Sequence, residues 1–154
     1  MTDRTGLKAT LQQHLTDAMR AQDKVRAGTL RMVLTAVTNE EVAGKAHREL
    51  SDDEVLKVVA KEAKKRREAA EAYHGAGRAE LAAQEEAELV VLEGYLPAQL
   101  SDEELLAMAR DAVAEAGVED LRGMGQVMKM LQPRVAGRAE GGRIAAAVRQ
   151  ALGA

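Results

Sequence analysis

Cysteine, phenylalanine and tryptophan are absent from these 154 residues, and proline and tyrosine occur twice each. Without Cys there is no disulfide, no thiol nucleophile and no Cys-ligated metal. With two aromatic rings in all, a core has to come from Leu, Val, Met and Ala, which bury less area per residue. Serine occurs only at Ser51 and Ser101, each three residues before a Glu, and both read as helix caps rather than nucleophiles. His14, His47 and His74 are far apart, and none has the spacing of a metal-binding pair. Each reads as a surface or helix-end residue. No apolar run reaches the length of a membrane span, and no signal-peptide core opens the chain. A soluble, cytoplasmic protein with no metal, no cofactor and no membrane partner is the expectation.

What is present is helix-forming. Ala, Leu, Glu, Lys, Arg and Gln dominate the periodic segments, and β-branched runs are scarce, so the fold class is all-α. The net charge of −3 argues neither for nor against a nucleic-acid partner.

The stretch Tyr95-Leu96-Pro97-Ala98-Gln99-Leu100-Ser101-Asp102-Glu103-Glu104 divides the chain. Pro97 stops the arriving helix, and Ser101 with Glu104 has the signature of a new N-terminus. Residues 1–96 read as a long-helix bundle and 97–154 as a small three-helix module.

The spacing predicts a first helix over Leu7 to Met19, with Leu7, Leu11, Leu15, Ala18 and Met19 on one face. A second, capped by Asp23 and ended by Gly44, carries Val25, Leu30, Met32, Val33, Leu34, Ala36 and Val37. That apolar surface is broad enough to face two neighbours. Ser51 and Glu54 open a long third helix, Asp52 to His74, lined by Val55, Leu56, Val59, Ala63, Ala70 and Tyr73. Lys57, Lys61, Lys64 and Lys65 form its opposite side, which reads as a solvated face, with a second nucleic-acid surface as the alternative. After Gly75-Ala76-Gly77 the fourth helix runs from Arg78 to Leu96, with Leu81, Leu92 and Tyr95 on one face. The module then has helices over Asp102 to Ala116, Gly123 to Leu131 (ended by Pro133), and a last one preceded by Gly141 and Gly142 that carries Ile144, Val148 and Leu152. The Met124, Val127, Met128, Leu131 stripe reads as core.

Several charges fall inside apolar stripes. Arg66 sits among Val55, Val59 and Tyr73, Glu85 and Glu88 lie between Leu81 and Leu92, and Glu40 lies near Val33 and Ala36. A buried charge needs a partner, so Arg66, Glu85, Glu88 and Glu40 are expected to form a structural polar network. The alternative is a Glu85–Glu88 carboxylate pair doing acid–base or metal chemistry, but no His joins it. No P-loop exists: Gly123-Met124-Gly125 is too short, and reads as a tight helix entry. No catalytic residue is assigned.

Charge is uneven along the module. Residues 101–121 hold seven acids and one base, whereas 122–154 hold six bases and one acid. Lys129, Arg134, Arg138 and Arg143 gather around the connection into the last helix, whose N-terminal N–H groups favour phosphate. Two readings fit: a solvated basic face, or recognition of the phosphates and shape of a folded RNA.

The segments Lys24-Val25-Arg26, Thr29-Leu30-Arg31-Met32-Val33, Arg66-Arg67-Glu68, Ala76-Gly77-Arg78, Tyr95 to Ser101 and Gly125-Gln126-Val127-Met128-Lys129 resemble the stand-alone YqeY-like proteins of the GatB/YqeY family, over almost the whole chain. The resemblance implies an all-helical, two-part fold whose second part is similar to the tail of the tRNA amidotransferase B subunit, which helps hold tRNA. Arg138, in Gly137-Arg138-Ala139, stands where that tail has Lys, and Glu140-Gly141-Gly142 stands where it has Asn-Pro. The implied role is a non-catalytic tRNA-binding or tRNA-associated helper contacting phosphates through Lys129, Arg134, Arg138 and Arg143. An alternative is a module docking on an amidotransferase or synthetase assembly. Direct participation in glutamine-dependent carbon–nitrogen ligation, through Glu85 and Glu88, ranks third.

Overall fold

The computed structural model describes residues 6–153. It contains seven α-helices and no strand among the described residues. The chain divides at Leu96 and Pro97 into two compact units.

The first unit holds α1 (Leu7–Arg20), α2 (Lys24–Val42), α3 (Asp52–Gly75) and α4 (Ala79–Glu93). Asp23 caps α2, its carboxylate accepting from the Arg26 N–H at 3.1 Å. Ser51 and Glu54 form a full capping box at α3, satisfying two N–H groups that the helix leaves open. The α3–α4 pair is a helical hairpin turned by Gly77 at φ +73°, and α1 packs on α2. Helix α2 touches α1, α3 and α4. The core is Leu11, Leu30, Val33, Val37, Leu50, Val55, Val59, Ala63 and Leu92.

Four details of this unit differ from the sequence reading. Val25 and Met32, though apolar, are about half exposed, so only one side of α2 is core. Helix α2 ends at Val42, before Gly44. Helix α4 stops at Glu93, because Gly94, Tyr95 and Leu96 already bond in turns to Val90, Leu92 and Glu93. Its buried positions are Ala82 and Leu92, while Leu81 faces solvent.

The second unit holds α5 (Asp102–Ala116), a short 3₁₀ turn (Leu121–Gly123), α6 (Met124–Val135) and α7 (Gly141–Ala151). Ser101 caps α5 by accepting from the Glu104 N–H, and its hydroxyl donates to the Glu104 carboxylate. The return bond of a full box is not made. Helix α5 packs on α6 and α7 around Leu100, Leu105, Ala109, Ala112, Val127, Leu131, Val135, Ile144, Ala147 and Val148. Gly123 is required: a Cβ there would run into the Val118 side chain. Gly125 meets no such constraint.

Two helix boundaries in this unit also depart from the sequence reading. Pro133 does not end α6, which continues to Val135. In the last turn proline removes one helical bond, and fully burying Val135 (1% exposed) offsets that loss. Gly141 and Gly142 lie inside α7 rather than before it, with Glu140 at the N-cap.

Candidate functional site

The basic cluster forms where α6 gives way to α7. Ala136 and Gly137 are both left-handed, at φ +50° and +77°, and turn the chain after Val135. The Ala136 N–H reaches back to Gln132 O, and the Arg138 N–H to Val135 O. Arg138 adds its side chain to this terminus, donating from Nε to Val135 O and from an Nη to Arg134 O, each at 3.1 Å. A cation over the last carbonyls of a helix is favourable both as a donor and against the helix dipole.

The segment ahead of α5 is clasped by the same turn. Leu100 donates its N–H to Arg138 O at 2.8 Å, and its own carbonyl accepts from Arg143 at 2.7 Å. Arg143 also pairs with Asp102 at 2.7 Å. Arg134 pairs with Glu115 of α5.

The structure therefore brings Arg134, Arg138 and Arg143 together and gives each an internal partner. Lys129 stands apart. It is exposed, and five residues at about 100° each put it about 140° around the helix from Arg134. It has no ion pair or hydrogen bond among the described residues, and neither does exposed Arg149. The partners Asp102 and Glu115 were legible only as part of an acidic run, since nothing local says which carboxylate meets which arginine.

A second polar centre lies in the first unit. Arg66 is 4% exposed. It donates to the Glu62 carboxylate at 2.5 Å and to the Met32 sulfur at 3.2 Å. Its Nε lies 3.4 Å from Glu88, an ion-pair distance, but the N–H is not aimed at that oxygen and has no hydrogen-bond acceptor. Of the expected partners, Glu88 meets Arg66, Glu85 is half-buried without pairing to it, and Glu40 is exposed. Glu62 had been missed, although its spacing four residues before Arg66 is that of a helical ion pair.

The buried acid at the end of α2 is Glu41, 2% exposed, four residues after Val37 on the core stripe. Lys8 donates to it at 2.7 Å, and the Leu50 N–H at 3.2 Å. The Lys8 hydrogen bond holds the Glu41 carboxyl below the ordinary range, outweighing burial. At the exposed start of α3, Arg48 draws Glu54 down to about 2.

His14 is half-buried, not a free surface residue. Its Nδ1 lies 2.6 Å from the Tyr95 hydroxyl, which accepts from Arg26 at 3.0 Å. Burial raises the Tyr95 hydroxyl above its ordinary value, against the lowering effect of Arg26, the opposite of what activates a nucleophile. His74 is exposed and lies 2.6 Å from Glu86. Among the described residues no cluster of three or more His, Asp or Glu is placed to hold a metal ion, and no helix is long and apolar enough to cross a membrane.

An uncharacterized protein of Schizosaccharomyces pombe is 34% identical over 97 residues, covering 62% of this chain and 76% of that one. The family model for YqeY-like proteins matches residues 8–152. The chain belongs to the YqeY-like protein family.

Proposed function

We propose that this protein is a non-catalytic tRNA-associated helper whose C-terminal unit contacts RNA phosphates. The observation that carries the reading is the concentration of six bases against one acid in residues 122–154, in a unit resembling the tRNA-holding tail of an amidotransferase subunit. Fold alone does not assign an activity; these cations are what could hold RNA phosphates. Lys129 and Arg149, exposed and unpaired among the described residues, contact phosphate directly. Arg134 joins them by exchanging Glu115 for phosphate. Arg138 and Arg143 hold the turn that presents the others, and add long-range positive potential.

The test is tRNA binding by the full chain. Lys129→Glu with Arg149→Glu is expected to weaken binding about tenfold or more, since each lost phosphate contact removes counterion release. Lys57→Glu with Lys61→Glu, on the solvated side of α3, is the control and should leave affinity within about twofold. Equal effects of the two pairs, or no tRNA binding by the parent protein, would refute the assignment.

A further inference from the structure

Helix α2 carries a glycine that nothing within the chain explains. Gly28 lies in the second turn of a 19-residue helix, where glycine is the least favourable residue after proline. Its φ is not positive, and a Cβ there would meet nothing within 4 Å. Neither backbone conformation nor internal packing calls for it.

Beside it is an open groove of about 730 Å³, lined by Ala18, Met19, Gln22, Lys24, Ala27 and Arg31. Lys24, Gly28 and Arg31 follow one another at i, i+4 and i+7, and Val25, Gly28 and Met32 at i, i+3 and i+7. The glycine thus sits between two cations and between two apolar side chains on one face. Met19, Val25 and Met32 are 53%, 46% and 51% exposed, three of the seven exposed large apolar side chains among the described residues. Lys24 and Arg31 are exposed and hold no ion pair or hydrogen bond among the described residues. Asp23, also at the rim, is committed to capping the helix.

We propose that this face of α2 docks an acidic amphipathic helix of a partner protein. Apolar side chains of that helix cover Met19, Val25 and the exposed half of Met32, whose sulfur is held by Arg66, and the flexible Met19 side chain suits such a surface. Lys24 and Arg31, about 10 Å apart along the axis, pair with carboxylates two turns apart. Gly28 lies at the crossing point, where a missing side chain lets two helix backbones approach. A nucleic-acid strand would satisfy the two cations but leave the three apolar side chains uncovered, and the groove has no aromatic ring for bases to stack on.

The proposal is tested by selecting, against the full chain, from a displayed library of helical peptides with randomised surface positions. The expected winners have an apolar stripe flanked by Asp or Glu. Their affinity falls about tenfold or more in Gly28→Leu and in Lys24→Glu with Arg31→Glu, and it weakens as salt rises. Gly28→Ala is the decisive variant. It should raise the thermal midpoint by about 2–4 °C, because a better helix former enters open space, while weakening the peptide at least threefold. A purely structural glycine would not move stability and affinity in opposite directions.

Selection of basic or non-helical peptides, or affinity indifferent to Gly28, overturns the proposal. Self-association that Gly28→Leu abolishes would give the face to a second copy of this chain. Displacement of the peptide by tRNA, with tRNA affinity lost on Lys24→Glu with Arg31→Glu, would give it to nucleic acid.

Discussion

The buried polar residues Thr29, Glu41, Glu62 and Arg66 all fall in the first unit, whereas every buried residue of the second is apolar. Both units are helical, and both build their cores from Leu, Val and Ala. They differ in where charge goes. The first unit takes an arginine and two glutamates inside and depends on their pairing. The second keeps its charges on the surface, where an arginine can clasp a turn or meet a partner. Stability in the first unit should therefore respond to charge and pH, and in the second to apolar volume.

The most disruptive single change should be Arg66→Met. It leaves Glu88 without its counter-charge and Glu62 with Lys65 alone, a loss of about 3–5 kcal/mol for breaking a buried pair, measurable by urea unfolding. Adding Glu62→Leu should recover much of that loss, and a double variant no more stable than the single one would break the comparison. In the second unit Leu131→Ala should cost about 2–5 kcal/mol through a core cavity, and the cost should be the same at pH 7 and pH 4.

Glu41→Gln should cost about 1–3 kcal/mol at pH 7, the range for disturbing a buried hydrogen-bonded group. The folded-state pKa of Glu41 is lowered, so its contribution is fully present above the unfolded carboxylate range of about 4–4.5. It is lost as pH falls from there through the folded value. The parent and Glu41→Gln should converge in stability on acidification; parallel curves would mean that the Lys8 pair is not carrying the effect. The smallest change is a gain: Ala136→Gly should stabilise the second unit by about 1 kcal/mol, since φ +50° suits glycine and strains alanine.

Legibility in the sequence follows the same division. In the second unit, Val127, Leu131, Ile144 and Val148 were readable as core, because clean apolar periodicity has one interpretation. Pro133 misled there because its position within the last turn depends on how far the apolar stripe continues, and Val135 extends it. In the first unit periodicity marked Arg66 as buried but could not choose its partner among several glutamates. The nearest in sequence, Glu62, made the pair, and Glu40 lost the core position to its neighbour Glu41. The roles of Arg138 and Arg143 depend on the Leu100 backbone, whose place beside them comes from tertiary folding rather than any local pattern. Cations in a stripe show where positive charge is; which of them remain available is decided by the acids that folding brings alongside.

The central functional claim is that the second unit's surface cations meet tRNA phosphates. The direct measurement is the affinity of the full chain for tRNA as a function of salt. The account predicts a linear fall of log K with log salt concentration, with a slope shallower by about two in Lys129→Glu with Arg149→Glu. An unchanged slope in that variant would contradict it.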